Sequence, residues 1–218
     1  MVDDEVLQQT YESRDRYVSS IGIVNPNVLA PLINPALTGG PMWPDMRQAW
    51  RVIRRGKSTI VMSDGLSDPF SDIDTPNAGF GLEVLEETGD VLGEQVQNSW
   101  LFDLVYQASQ QCAAHGGVRA LLDDLGLVSL ELPASGELLS LATPEGRVGV
   151  LLGIPAQDFR CEFDLPGGSV KVVTAKLLWP TELTYAVSRG AAGREELAQR
   201  FAIDGTHHRS SLTRKPVV

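Results

Sequence analysis

The sequence predicts an α+β fold in which a mixed, mainly antiparallel sheet is packed with helices. Helical and strand patterns follow each other in the order helix, strands, helices, strands, helices, which is not the βα alternation of Rossmann or barrel folds. Neighbouring strand patterns are separated by short glycine-containing turns, as in antiparallel hairpins. The chain has 218 residues and a hydrophobic fraction of 43%. It can therefore bury a core without a disulfide or a metal.

Residues 1–40 are expected to form an N-terminal helix and a proline-rich arm, and residues 41–218 a single domain. Apolar side chains recur near helical spacing over residues 3–19, with acidic residues in the first turn. Prolines then cluster between positions 26 and 44, which disfavours long regular structure. This stretch is expected either to pack along the surface or to act as a hinge.

The other elements are predicted from hydrophobic periodicity and from glycine or proline at their ends. Strands are predicted over residues 50–55, 58–62, 79–87, 128–132, 148–152, 159–163 and 170–178. Helices are predicted over residues 93–114, 118–125, 180–189 and 195–202. Gly56 is expected in the turn of the first hairpin, because a two-residue turn favours glycine.

The net charge of -10 argues against nucleic acid and against an anionic membrane surface as partners. It permits a basic protein partner, although solubility alone is the commoner reason for such a charge. No apolar run is long enough for a membrane helix, and the N-terminus lacks a signal-peptide pattern, so a cytoplasmic location is expected. Cys112 and Cys161 fit neither a metal site nor a CxxC motif and are expected to be reduced thiols.

The stretch from Asp64 to Asp74 is the most unusual in composition, with four carboxylates that include Asp68. Such oxygen-rich loops can bind calcium. The alternate-residue spacing of an EF-hand is absent, however, and Pro69 interrupts the run. Because aspartate and serine side chains also cap turns, a loop-forming role is favoured over a metal site. Phe70 is expected to fold back into the core.

No catalytic constellation, cofactor motif or metal motif is found. Ser67 lacks the second glycine of a nucleophile elbow, because Pro69 stands in its place. None of the three histidines lies at a metal-ligand spacing from other ligand residues. His207 is expected in a partly exposed C-terminal tail with its neighbour His208. One alternative is a hydrolase in which Asp64, Asp68 and His207 meet only in space. Another is a scaffolding subunit.

Two tryptophans lie in irregular segments, Trp43 between prolines and Trp179 before Pro180. Such residues can anchor a protein interface, and they can equally fill the core beneath a loop. The candidate partner-binding or loop-forming residues are Asp64, Ser67, Asp68, Phe70, Trp43 and Trp179.

Several segments resemble the bacterial Suppressor of Fused-like family. The first two are STIVMSDGLSDPF at residues 58–70 and GFGLEVLEET at residues 79–88. The similarity continues through WLFDLVYQASQQCAAHGG, GRVGVLLGI and LLWPTELTYAVSRGAAGREELAQRF. It covers most of the chain from about Pro41 onward and excludes the first forty residues.

This resemblance implies a non-catalytic protein-binding domain that corresponds to the N-terminal domain of the longer animal proteins. Animal members bind and restrain a transcription factor through a β-strand of that partner, and bacterial members are proposed to be immunity proteins that neutralise toxins. The acidic charge would suit a basic toxin through long-range attraction. Occlusion would then use either an acidic surface or pairing at a sheet edge.

Overall fold

A computed structural model describes residues 4–218 and contains one eight-stranded sheet with helices packed against it. The strands are β1 Ile23–Val24, β2 Ala49–Arg55, β3 Ser58–Asp64, β4 Leu82–Thr88, β5 Val128–Pro133, β6 Arg147–Leu152, β7 Glu162–Leu165 and β8 Gly168–Leu178. The helices are α1 Asp4–Ile21, α2 Trp100–His115, α3 Val118–Leu125 and α4 Pro180–Ile203. α4 is kinked at Gly190, which has non-helical backbone angles and separates the two helices predicted there. Short 3₁₀ helices span Pro35–Thr38, Val96–Asn98 and Gly136–Leu141.

The strand order is β1-β2-β3-β4-β8-β6-β5, and β7 pairs with β8 outside this path. The paired strands are antiparallel except for β4 and β8, which run parallel over Leu82–Leu85 and Lys171–Thr174. The predicted α+β class with a mixed, mainly antiparallel sheet is therefore confirmed. Gly56, with φ of 58°, stands in the turn between β2 and β3.

Three buried apolar clusters hold the helices to the sheet. The largest lies between α2 and the sheet and includes Trp50, Leu104 and Val173. A second lies beneath α1, where the rings of Tyr17 and Phe163 stack with centroids 4.5 Å apart. The third lies beneath α4. No helix among residues 4–218 is long and apolar enough to cross a membrane.

Some predicted boundaries are wrong, for local reasons. The helix predicted from residue 93 begins at Trp100, because Ser99 accepts a hydrogen bond from the Phe102 amide and caps it there. The strand predicted over 159–163 lies instead at Glu162–Leu165, so Cys161 precedes it. The 3₁₀ helix at residues 136–141 was not predicted, and position 3 of the N-terminal helix lies outside the described residues.

Candidate protein-interaction surface

Arg14 of α1 lies inside the protein, beside the end of β3, with a side chain that is 2% exposed. Its guanidinium donates to the carboxylates of Asp64 at 2.7 Å and Asp68 at 2.6 Å. It also donates to the Ser67 hydroxyl at 3.0 Å, and its Nε lies 3.6 Å from the Glu83 carboxylate. Buried charges require opposite charges beside them. This guanidinium is therefore shared by three carboxylates in the core.

Arg47 and Arg51 complete the cluster from the solvent side. Arg47 reaches Asp64 at 2.5 Å and Arg51 reaches it at 2.6 Å. Burial alone would raise the pKa of Asp64, but the hydrogen bond from Arg47 and the charges of Arg14, Arg47 and Arg51 hold it well below its usual range. Burial raises the pKa of Asp68 even though Arg14 and Arg47 oppose the shift. The pKa values of the two aspartates are thus shifted in opposite directions.

Glu83 of β4 binds the beginning of the loop that connects β3 to β4. It accepts hydrogen bonds from the backbone amides of Gly65 at 3.1 Å and Ser67 at 3.0 Å. It also accepts the hydroxyl protons of Ser67, at 2.7 Å, and of Ser63. The Ser67 hydroxyl, which is buried, therefore donates to Glu83 while it accepts from Arg14.

This cluster is built for structure, because its carboxylates are held by arginines and by the Ser67 hydroxyl within the cluster. Arginine keeps its proton at ordinary pH and so offers no acid–base chemistry. The polar contacts of Asp64 and Asp68 are with arginines, and not with the histidine that the hydrolase alternative places beside them. Across residues 4–218, no group of three or more His, Cys, Asp or Glu side chains is placed to hold a metal ion.

The outer half of the loop turns toward solvent. Phe70 is half-buried and packs edge-on against Phe80, with ring centroids 5.3 Å apart. Gly79, at a φ of 54°, closes the loop so tightly that a Cβ there would lie 2.3 Å from the Asp68 carbonyl oxygen. Residues 71–76 are exposed beyond this closure. The cluster thus supports a rigid base below an exposed loop tip.

The proline-rich segment 22–48, called the arm below, is fixed along the sheet and the base of the loop. Leu29 pairs with Trp50 through two backbone hydrogen bonds, of 2.9 and 2.8 Å. The Trp43 side chain is 3% exposed and packs edge-on against Trp50 and over Gly65. Trp43 therefore lies beneath the arm and is not presented as an exposed anchor. The arm packs along the surface, as one of the two expectations for it stated.

The arm carries many exposed apolar side chains. More than half of the exposed large apolar side chains among the described residues belong to it. They are Ile23, Val28, Leu32, Ile33, Leu37, Met42 and Met46. Exposed apolar patches of this kind mark interaction sites in soluble proteins, and loops held on a rigid scaffold frequently carry binding function. The arm is therefore the candidate interaction surface, and the Arg14 cluster is part of its foundation.

Most of the remaining surface is acidic, because many of the cations are used in ion pairs. Arg14 and Arg214 are buried or nearly so, and both are paired with carboxylates. Exposed carboxylates far outnumber exposed cations among residues 4–218. The exposed cations are Arg16, Arg54, Lys57, Arg160, Arg189 and Lys215. A basic partner would be attracted to such a surface.

The strand β5 forms one edge of the sheet, since it pairs only with β6 in the described chain. A groove of about 480 Å³ runs beside it and is lined by Leu130, Arg147, Leu183 and Val187. An open edge of this kind offers unpaired backbone groups to an extended partner. It is a second, smaller place where pairing with another chain could occur.

Trp179 lies at the start of α4, half-buried, and belongs to a different cluster. Its backbone amide donates to Glu182 at 2.7 Å, and Glu182 in turn pairs with Arg214 at 2.5 Å.

The side chain of His208 is 2% exposed and lies 3.0 Å from the Glu87 carboxylate. The expectation of a partly exposed tail is therefore wrong for His208, because a buried carboxylate holds it against β4.

Sequence reasoning located three members of the Arg14 cluster, and it missed Arg14, Arg47, Arg51 and Glu83. One signal was present for the first: the buried positions of α1 are Thr10, Arg14, Tyr17, Val18 and Ile21, so Arg14 interrupts an inward-facing stripe. An arginine in such a stripe indicates a buried carboxylate partner. Nothing in the sequence shows which carboxylates those would be.

No protein-family model and no curated protein matches this chain. Solved structures do match it in fold. A structure described as "the Sufu-Fu complex crystal structure" superposes with a TM-score of 0.55 at 17% identity, over 98% of this chain and 89% of that one. Drosophila Suppressor of Fused gives a TM-score of 0.55 at 18% identity, over 98% of this chain and 50% of that one. The chain therefore has a Suppressor of Fused-like fold and spans about half of the Drosophila protein.

Proposed function

We propose that this chain is a non-catalytic protein-binding module whose partner is a basic polypeptide. The observation that carries the proposal is the arm, which presents seven large apolar side chains on a segment fixed to a rigid sheet. An apolar surface of this kind is buried by association with another protein. The acidic surface around the body supplies attraction and selects against acidic partners.

The fold likeness supports a binding role. One of the similar solved structures is a complex, of Sufu with Fu, so a protein of this fold associates with another protein. We extend that mode of action to this chain as part of the proposal. The basic partner we favour is a toxin, in which case the chain is an immunity protein that neutralises it by covering its working surface.

The proposal places the protein in the cytoplasm. Its two cysteines are free thiols, and Cys112 is fully buried with a pKa that burial raises to about 12. A buried, protonated thiol is chemically inert and suits a reducing compartment. The partner would then be met inside the cell that makes the protein.

The test is capture of a partner by the purified chain from lysate and from the products of neighbouring genes. A double variant, Leu32→Asp with Leu37→Asp, adds two charges to the arm. A matched control, Val91→Asp with Ile203→Asp, adds the same charges at apolar positions that are 100% and 87% exposed outside the arm. We expect a basic polypeptide to be retained by the native chain and the control, and lost by the arm variant.

The salt dependence of partner retention separates electrostatic attraction from apolar contact with the arm. Retention that weakens as salt rises indicates electrostatic attraction, because exposed charges are screened over about 10 Å at 0.1 M salt. A partner retained equally by both double variants would contradict the role of the arm. A native chain that retains no protein at low or high salt would contradict the binding function as a whole.

A further inference from the structure

A cleft opens where β4 and β8, the one parallel pair of strands among residues 4–218, separate. β4 and β8 are paired as far as Leu85 and Thr174, and beyond this point β8 continues alongside β6. The C-terminal segment, residues 206–218, enters the gap. The Ser210 amide donates to the Glu87 carbonyl oxygen at 2.9 Å, and the Leu177 amide donates to the Ser210 hydroxyl at 2.8 Å. The segment thus satisfies backbone groups that the missing strand pairing would leave exposed.

Side chains around the cleft bind the segment in an extended sequence of contacts. Glu87 faces His208 at 3.0 Å. Asp90 accepts the Ser211 hydroxyl at 2.7 Å and the Leu212 amide at 2.9 Å. Further along, Glu182 pairs with Arg214 at 2.5 Å and accepts the Val217 amide at 2.9 Å. Lys176 of β8 donates to the Arg209 carbonyl oxygen at 2.5 Å.

The segment and the body are opposite in charge. Residues 206–218 include His207, His208, Arg209, Arg214 and Lys215 and contain no aspartate or glutamate, in a chain whose net charge is -10. The basic segment therefore lies against carboxylates of the cleft, and its Arg214 forms an ion pair with Glu182. The same segment of a second copy would carry the same complementary charge toward this cleft.

The short connection between α4 and the segment is strained. His207 has a φ of 49° and is the one residue other than glycine at positive φ among residues 4–218. Gly205, at 74°, also adopts a left-handed conformation. A side chain at positive φ costs free energy, and opening the connection into an extended form removes that cost. Short strained connections favour exchange of the element that follows them.

We propose that the segment 206–218 is an exchangeable ligand and that two copies of the chain bind each other by swapping it. Each cleft then receives the partner's segment and regains every contact described above, while the strained turn at His207 is released. The exchange needs no new surface, because the clefts and segments are already complementary. The closed monomer competes through its high effective concentration, so exchange rises with protein concentration.

The test uses two full-length variants, one with Asp90→Cys and the other with Ser211→Cys, since these side chains are in contact. The two are mixed at about 1 mM, a concentration comparable to the effective concentration within one chain. After equilibration and mild oxidation, we expect a covalent heterodimer by mass spectrometry. Replacing Asp90→Cys with Val91→Cys, at a fully exposed neighbouring position, should reduce the yield at least several-fold.

The double variant Asp90→Cys with Ser211→Cys shows whether this disulfide can form within one chain. If it forms there and the mixture gives no heterodimer above the Val91→Cys control, the proposal is overturned. If it does not form there, Thr88→Cys and Ser210→Cys, which replace bridged backbone neighbours, are used in the same design and decide the question. The variant His207→Gly should lower the heterodimer yield, because the closed turn is then no longer strained.

Discussion

The Arg14 cluster and the C-terminal cleft both supply partners to carboxylates that are shielded from solvent, but they do so in different ways. In the Arg14 cluster, one buried cation serves Asp64, Asp68 and Glu83 at a single point. In the cleft, the polar contacts are spread along an extended segment, and the contact of Glu87 is separate from that of Glu182. A concentrated cluster fails as a unit when its central charge is removed. A distributed one loses contacts one at a time and can detach locally.

The largest effect is expected from Arg14→Met, which keeps the apolar length of the side chain and removes its charge. Three carboxylates are then left without their shared cation, and loss of one partner from a buried ionic group costs ~3–5 kcal/mol. Urea unfolding measures this free energy. The control is Arg16→Met, two positions along the same helix and exposed, for which a change within ~0.5 kcal/mol is expected. Equal effects for the two variants would contradict a central role for Arg14.

A smaller effect is expected from Arg214→Met in the cleft. Glu182 loses its cation but keeps hydrogen bonds from the amides of Trp179 and Val217, so the cost should be ~1–3 kcal/mol. Hydrogen exchange should accelerate over residues 206–218 and remain unchanged in the core strands. Lys215→Met, at an exposed position, is the matched control. Faster exchange throughout the sheet would show that the segment is not a separate unit.

Acid should weaken the Arg14 cluster through Asp64. Its pKa is lowered in the folded protein from an ordinary value of 3.8, so its ionised form stabilises the fold above that value. This contribution is lost progressively as the pH falls below about 4. Asp68 has a raised pKa and acts in the opposite direction, so the two must be separated by mutation. The free energy of unfolding measured from pH 5 to 2 should fall less steeply in Asp64→Asn than in the native chain.

The smallest effect on stability is expected from a substitution in the arm. Leu32 is fully exposed, so Leu32→Asp should change the free energy of unfolding by no more than ~0.5 kcal/mol. The same substitution should weaken partner binding strongly. Thermal unfolding and partner capture, measured on one preparation, distinguish these effects. A large loss of stability would indicate that the arm supports the fold and is not mainly a binding surface.

The elements with strong hydrophobic periodicity, or with glycine or proline at their ends, were predictable from the sequence. The helix at Val118–Leu125 was predicted at its observed bounds, and the hairpin around Gly56 was predicted with its turn. Glycine and proline fix such boundaries locally. The strand at Glu162–Leu165 was misplaced, because its register depends on pairing with β8, which local pattern does not encode.

The polar residues of β4 show why the site was harder to predict. Glu83, Glu86 and Glu87 make the strand look mixed on both faces, yet all seven of its residues are buried. Each glutamate has a partner from a distant part of the chain: Arg14 for Glu83, the Ala175 amide for Glu86 and His208 for Glu87. Burial of a charge depends on partners that only the fold brings together. The sequence therefore indicated unusual carboxylates without indicating their purpose.

Hydrogen exchange of the full chain, measured with and without the captured partner, tests whether the arm binds another protein. We expect partner binding to slow exchange at residues 22–48 and to leave exchange in α3 unchanged. Residues 71–76 of the exposed loop tip should show weaker protection. Protection confined to regions outside the arm, or no protection with saturating partner, would show that the arm is not the binding surface.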